Sequence, residues 1–418
     1  MSGWFSRRTL LRRTCPRRWC HPSHRFSTRQ PHIFSDVPNS ISASDVEYGY
    51  IENVERLSDY RTGGYHPVLI EGHLHNRYRI VHKLGHGTFS TAWLALDKQT
   101  SGYVAIKVGT ADADSREADV MSQLTTRAAT CSHAMDKASM IPKVIDRFSL
   151  DGPNGTHPCF VTVPARCSLM DAKEASDPRL FQLDVARSLA AQLAMAVSLV
   201  HSQGYVHGVE QLYAKFGAPE PEPIVRLDGK PTSSVAGVPS HAVPPVWLGI
   251  ASDEIALGEA KLLLGDFGVA FRPSEKSRFE SYTHPLSLID GILTPQDEIT
   301  AQQVELQGPL PSEWWDNWKL RSKWFDEAGK PLSKESDIWS WDRRFEQWIQ
   351  EPRESCGMSV IDEEEKNALF ELLHRMLAYR PGERPNAEQV LDMAWMKRWA
   401  LPAYEESRKA WALKQYAI

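Results

Sequence analysis

The 418-residue chain has no run of about 18 uncharged apolar residues, the length a bilayer-crossing helix needs. Its most apolar helix-like stretch, near 189–200, is short and interrupted, which predicts a soluble protein without a membrane span. Neither charge dominates. Against 53 acidic residues stand 48 basic ones, a net charge of −5, so bulk electrostatics give no reason to expect a nucleic acid partner. The six cysteines, at 15, 20, 131, 159, 167 and 356, are too irregularly spaced for a disulfide framework and read as reduced intracellular thiols. Cys15, Cys20, His21 and His24 do cluster, but in no common zinc-binding spacing. Acid is missing from the start: the first thirty residues carry eight arginines, and the first carboxylate is Asp36. That composition suits a mitochondrial presequence or a disordered basic tail. No internal repeat is visible, which excludes a solenoid.

What is present divides the chain into a β-rich part and a helical part. Residues 31–75 are a mixed, polar lead-in, and order is expected to begin near Arg77. Three β-rich runs, 78–84, 91–97 and 103–109, are separated by glycine-containing turns and predict an antiparallel meander. Helical spacing follows over 113–128, then a short strand over 158–163. From 178 to 202, Leu, Val and Ala recur three and four apart, the pattern of a long helix with one buried face. The Pro/Gly-rich stretch 217–245 sustains neither helix nor central strand and predicts a long surface excursion. An acidic, Trp-rich region spans 295–353, where tryptophans most often simply pack. An amphipathic helix is predicted over 362–380.

Three short motifs carry chemistry. Gly85-His86-Gly87-Thr88-Phe89-Ser90 lies between two predicted strands, so its backbone N–H groups can approach phosphate oxygens; alone, such a G-x-G is more often just a turn. Lys107 sits in the apolar run "VAIKV" about one hairpin later, with Glu117 ten residues on in a predicted helix. An ammonium flanked by Ala105, Ile106 and Val108 must face a cleft or a partner, because burying it unpaired is expensive. "LLLGDFG" then predicts an apolar strand ending in Asp266-Phe267-Gly268, and a carboxylate beside phosphates is a hard ligand for magnesium.

In this order the motifs resemble a protein kinase. "KLGHGTFSTAWLALDKQTSGYVAIKV" is similar to the SR-protein kinase branch in particular, including Phe89-Ser90-Thr91 where other kinases close with a third glycine. The resemblance runs from about Tyr78 to Leu401. It implies an α+β, bilobal fold, a small antiparallel β lobe (76–165) and a helical lobe (166–402) flanked by a basic segment (1–75) and a tail (403–418). It implies ATP and Mg2+ as cofactors, and Ser/Thr phosphorylation of protein substrates, Arg/Ser-rich ones in this branch. Leu84, Ala92 and Ala105 would then hold adenine, Lys107 the phosphates and Asp266 the metal, with Gly85 to Thr91 over the phosphates and Thr162 to Pro164 as the hinge. A cytoplasmic or nuclear location follows from the family.

The sequence departs from that family where chemistry happens. Aligned on His207, the catalytic aspartate position holds Val209, the lysine position Gln211 and the asparagine position Ala214. Valine accepts no proton, and alanine supplies no oxygen to a second metal. Glu210 is the nearest substitute but points away if the loop follows the family path. Beyond Asp266 no Pro-Glu dipeptide occurs, so Arg384 in "RPGERP" lacks the glutamate that the resemblance pairs with it. "SDIWSW", 336–341, is too charged in its continuation to serve as the helical lobe's apolar centre. The large lobe is thus expected to be incomplete, with the faces of 181–200 and 366–377 short of a partner. Three readings follow: a working kinase, a nucleotide-binding pseudokinase serving as an interaction or regulatory module, or a shortened splice form of an enzyme.

Overall fold

The computed structural model describes residues 46–128, 135–203, 221–232, 235, 237–267, 296–333 and 338–415 of the protein, all within one unit, Ile41–Ile418. Its first half is a six-stranded antiparallel sheet of β1 (His73–Leu74), β2 (Tyr78–Gly87), β3 (Ser90–Asp97), β4 (Tyr103–Gly109), β5 (Asp146–Gly152) and β6 (Gly155–Thr162). The spatial order is β1-β2-β3-β4-β6-β5. Between β4 and β5 run α1 (Arg116–Ala128) and the short α2 (Met135–Ala138). Strict alternation on β3 and β4 turns Trp93, Ala95, Val104, Ile106 and Val108 into the sheet's core with Tyr78 and Ile80.

The helical half begins with α3 (Leu169–Glu174), whose first turn is capped by Ser168 Oγ accepting from Asp171 N at 3.0 Å. The long α4 (Leu183–Ser202) forms where the Leu/Val/Ala periodicity predicts it, with Asp184 in its first turn and His201 in its last, as the helix dipole favours. A two-stranded ribbon, β7 (Glu222–Pro223) and β8 (His241–Ala242), follows. Then come α5 (Gln296–Gln307), α6 (Ser312–Asn317), α7 (Trp341–Phe345), α8 (Glu351–Ser355), α9 (Glu363–Met376), α10 (Ala387–Asp392) and α11 (Leu401–Gln415). By length and composition α4 is apolar enough to cross a bilayer, yet 67% of its apolar window is buried inside the fold, as in a core helix. The result is the α+β, protein-kinase-like architecture of a sheet lobe and a helical lobe.

Several expectations need correction. Order begins well before Arg77: Leu57, Tyr60, Tyr65 and Val68 of the lead-in are buried, because aromatic rings spaced along a polar segment supply a core that its mean composition hides. Residues 46–75 therefore belong with the sheet lobe. The described part of the 217–245 stretch is no mere surface excursion either. Ile224 and Ala242 bury against the lead-in, Tyr48 bridges to Arg226, and Gly49 N donates to Val225 O at 2.7 Å. β5 escaped notice, since only Phe148 and Leu150 mark it as apolar. Leu262 to Asp266 run without a ladder partner among the described residues, and a lone segment cannot be a strand.

The helical lobe is better closed than expected around α4. Its Ala191, Met195 and Ala196 pack with Leu372, Val390, Met393, Trp395 and Met396 from α9, α10 and the turn after it. α9 is the bare one: Met376 is exposed, and only Glu365 and Leu372 on it are buried. The tail is not a tail, because α11 lies against α4 and the 257–259 turn, with Ser407 Oγ donating to Leu257 O at 2.7 Å. A methyl at Gly258 would stand 3.1 Å from Ala410 Cβ, so α11 would have to shift by a few tenths of an ångström to admit a side chain there. In the Trp-rich region Trp315, Trp318 and Trp324 pack around buried Phe325, Ala301 and Val304. The charged helix after "SDIWSW" buries Phe345 against Leu183 and Ile361, closing the start of α4.

Candidate functional site

The β2–β3 hairpin turns at Thr88–Phe89, between the paired Gly87 and Ser90. A methyl built on Gly87 would meet nothing within 4 Å, so the backbone there borders open space. Ligand oxygens can come close to such a peptide. Ladder register carries the other residues to the same place: Gly85 lies opposite Ala92, Ala92 opposite Lys107, and Ala105 between Leu94 and Thr162. Because burial alternates along β3 and β4, Ala92, Ala105 and Lys107 share the face turned away from the sheet's core. Leu84 is buried one residue before Gly85, while Val163 in the segment after β6 is exposed.

Lys107 Nζ is held between two carboxylates, 2.8 Å from Glu117 Oε2 on α1 and 3.2 Å from Asp266 Oδ1. Phe267 N donates to Glu117 Oε1 at 3.2 Å, so the carboxylate that anchors the lysine also anchors the Asp266-Phe267 turn. Phe267 itself is fully buried among Val120, Met121 and Leu124 of α1 and Leu199 and Val200 of α4. Asp266 has φ 62°, a left-handed conformation that a non-glycine residue adopts at a cost, which the packing of its neighbour holds in place.

Burial opposes the charge of Lys107, but Glu117 and Asp266 outweigh it and raise its pKa, so the ammonium persists at neutral pH. Burial raises the Glu117 pKa as well, and the neighbouring Lys107 offsets this only in part. Asp266 is about one-fifth exposed, and its Oδ2 meets no protein donor among the described residues. A hard cation fits there. No cluster of three or more His, Cys, Asp or Glu side chains suited to a metal occurs among the described residues. Asp266 would therefore hold magnesium only with phosphate oxygens and water completing the shell.

No protein-family profile matches the chain. A serine/threonine protein kinase of Aspergillus fumigatus is 24% identical over 398 residues, covering 87% of this chain and 94% of that protein. The Saccharomyces cerevisiae serine/threonine-protein kinase SKY1 is 33% identical over 40% of this chain and 23% of its own length. Human SRSF protein kinase 3 is 32% identical over 36% of this chain and 27% of its own length. These relatives support an SR-protein-kinase-like reading of the chain.

In this SR-protein-kinase-like chain the sequence-predicted nucleotide residues Lys107, Glu117 and Asp266 meet in one cluster, and Leu84, Gly85, Gly87, Ala92 and Ala105 lie on the strands beside it. His86 lies near the end of β2, Thr88 and Phe89 form the turn with Phe89 largely exposed, and Ser90 opens β3 with Thr91 buried after it. His207, Val209, Glu210, Gln211, Ala214 and Gly268 lie outside the described residues. So do residues 1–45, and with them the presequence expectation, which the relatives' names do not support. Arg384 is exposed and donates to Ala378 O at 2.7 Å and Tyr379 O at 3.3 Å, two carbonyls in place of a carboxylate.

Sequence reasoning missed the lead-in's part in the site. Tyr65 Oη donates to Gly87 O at 2.7 Å and Thr88 O at 3.2 Å, and the Glu55 carboxylate pairs with buried Lys83 of β2. The signal was there in Tyr60 and Tyr65 flanking a Gly-Gly pair, a constellation a disordered segment has little use for.

Proposed function

We propose that this chain is a nucleotide-binding member of the kinase family that grips Mg-ATP through the hairpin at 85–91, Lys107 and Asp266 and transfers phosphate at background rates. The observation that carries the first half is the Glu117–Lys107–Asp266 cluster with Phe267 N on Glu117, which brings together a cation suited to phosphates and a carboxylate suited to a metal. What supports the second half is sequence. With Val209 at the base position nothing there accepts the proton of an incoming hydroxyl, and Ala214 removes a second metal ligand. ATP bound in this cleft brings the transferable phosphate; the chain's own residues orient it, neutralise its charge and leave the acceptor unactivated.

The protein then acts as a binding or regulatory module whose partners are proteins, Arg/Ser-rich segments being the class its relatives suggest. Thermal titration tests the grip: Mg-ATP at about 100 times its dissociation constant stabilises the fold by about 2.7 kcal/mol. An unmoved melting curve for the folded chain would refute it. Labelled ATP with an Arg/Ser-rich peptide tests transfer, and turnover that Asp266→Asn abolishes would make the chain a working kinase.

A further inference from the structure

We propose that Tyr65 is a positioning residue for the phosphate-facing hairpin, holding its carbonyls from outside so that its amide donors face the nucleotide; this rests on the nucleotide reading above. The Tyr65 ring is buried with Leu57, Tyr60, Ile224 and Ala242, and its hydroxyl reaches Gly87 O and Thr88 O. In a trans peptide the N–H points opposite to the preceding C=O. Tying the Gly87 and Thr88 carbonyls to Tyr65 therefore directs the Thr88 and Phe89 amides to the side away from it.

The platform beneath Tyr65 is fixed on several sides. Gly63 N donates to Asn154 O at 2.8 Å, and buried Asn154 Nδ2 donates to Tyr65 O at 2.7 Å. Ala111 N and Asp112 N donate to Gly64 O and Gly63 O at 3.0 and 2.9 Å. A Cβ at Gly64 would fall 1.9 Å from Asp59 O, so the turn is closed to any other residue. The linker from β4 to α1 is thus bonded to the lead-in, and it reaches the hairpin from its other flank through Thr110 N, 2.9 Å from Phe89 O. One short segment sets both the hairpin and the linker that carries α1 and Glu117 toward Lys107.

The hydroxyl touches the hairpin only, whereas adenine would sit by Leu84, Ala92 and Ala105, so phosphate and base binding separate the role. Calorimetry on the full chain should show Tyr65→Phe weakening Mg-ATP about five-fold, the worth of one or two hydrogen bonds, with adenosine affinity unchanged. Hydrogen exchange in the nucleotide-free chain should speed at Thr88 and Phe89. Tyr60→Phe, which removes a neighbouring hydroxyl bonded to Glu55 rather than to the hairpin, should keep the Mg-ATP to adenosine ratio. Wild-type binding with an unchanged ratio in Tyr65→Phe overturns this proposal alone, as does an equal loss for both ligands. Absence of Mg-ATP binding to the wild type overturns the nucleotide reading and this proposal with it.

Discussion

Lys107 keeps its charge against burial because two carboxylates stand beside it, and that dependence makes it a sharp probe of the cleft. Lys107→Met should weaken Mg-ATP by about ten-fold or more, the worth of a charge-assisted hydrogen bond, as read by calorimetry. A different residue governs pH. His66 of the lead-in lies against the buried His157 with ring centroids 4.8 Å apart, and burial, with the second histidine beside it, pushes its pKa from 6.5 down to about 4. His157 is lowered too, its Nδ1 facing Gly109 O at 3.0 Å. Between pH 6.5 and 4 the unfolded chain takes up protons that folded His66 refuses, so stability is full above that interval and falls as pH drops through it. Urea midpoints at pH 7 and 4.5 should diverge, and His66→Asn should narrow the gap. Lys107 and Asp266 were legible because charge amid apolar neighbours is conspicuous, and Glu117 because it follows Lys107 at helical distance. The histidines and Tyr65 were not, since what gives each its role is a partner about 90 residues away or a backbone carbonyl, and neither leaves a mark on local pattern.

At the scale of elements, α4 and α9 are tied by charge rather than by apolar contact alone. Glu365 is wholly buried and accepts from Arg187 Nε at 2.8 Å and from Trp395 Nε1 at 3.2 Å. Burial lowers the Arg187 pKa, yet its bonds to Glu365 outweigh this and raise it overall. Removing Glu365 leaves Arg187 with the exposed Asp184, 2.7 Å from its Nη1, as its remaining partner and orphans Trp395 Nε1, so Glu365→Ala should cost about 2–3 kcal/mol in urea unfolding. Periodicity revealed α4 and α9 as helices. It did not reveal that α9 turns a carboxylate inward, because a Glu-rich first turn, Glu363 to Glu365, looks like a solvated end. β5 was lost for a related reason: an edge strand with alternate half-buried positions carries a weak apolar signal.

Across the whole molecule, the sheet lobe is not self-sufficient from residue 76. Lys83 is fully buried and its charge is met by Glu55 from the lead-in, with Trp93 beneath it at 5.6 Å. A chain starting at 76 would lose the carboxylate that meets that ammonium together with the lead-in's buried side chains, and we expect it to be insoluble or to melt well below the full chain. Glu55→Gln should reproduce part of that loss in a thermal melt. The two-lobed plan was legible because three β runs followed by long apolar periodicity specify an order of elements. Which segments outside the family's core fold onto it was not, because those contacts join residues far apart in sequence or reach a backbone carbonyl, as between Tyr48 and Arg226 or Tyr65 and Gly87.

Helix α11 has a reach that its distance in sequence conceals. It clamps the 257–259 turn, and from that turn the chain runs only a few residues to Asp266. Clipping the protein just past residue 400 would slacken the cord on which the Asp266 carboxylate, proposed above as the magnesium ligand, hangs. Limited proteolysis that releases those last residues should therefore dull magnesium-dependent protection of the cleft while leaving the β-meander's own amides slow to exchange.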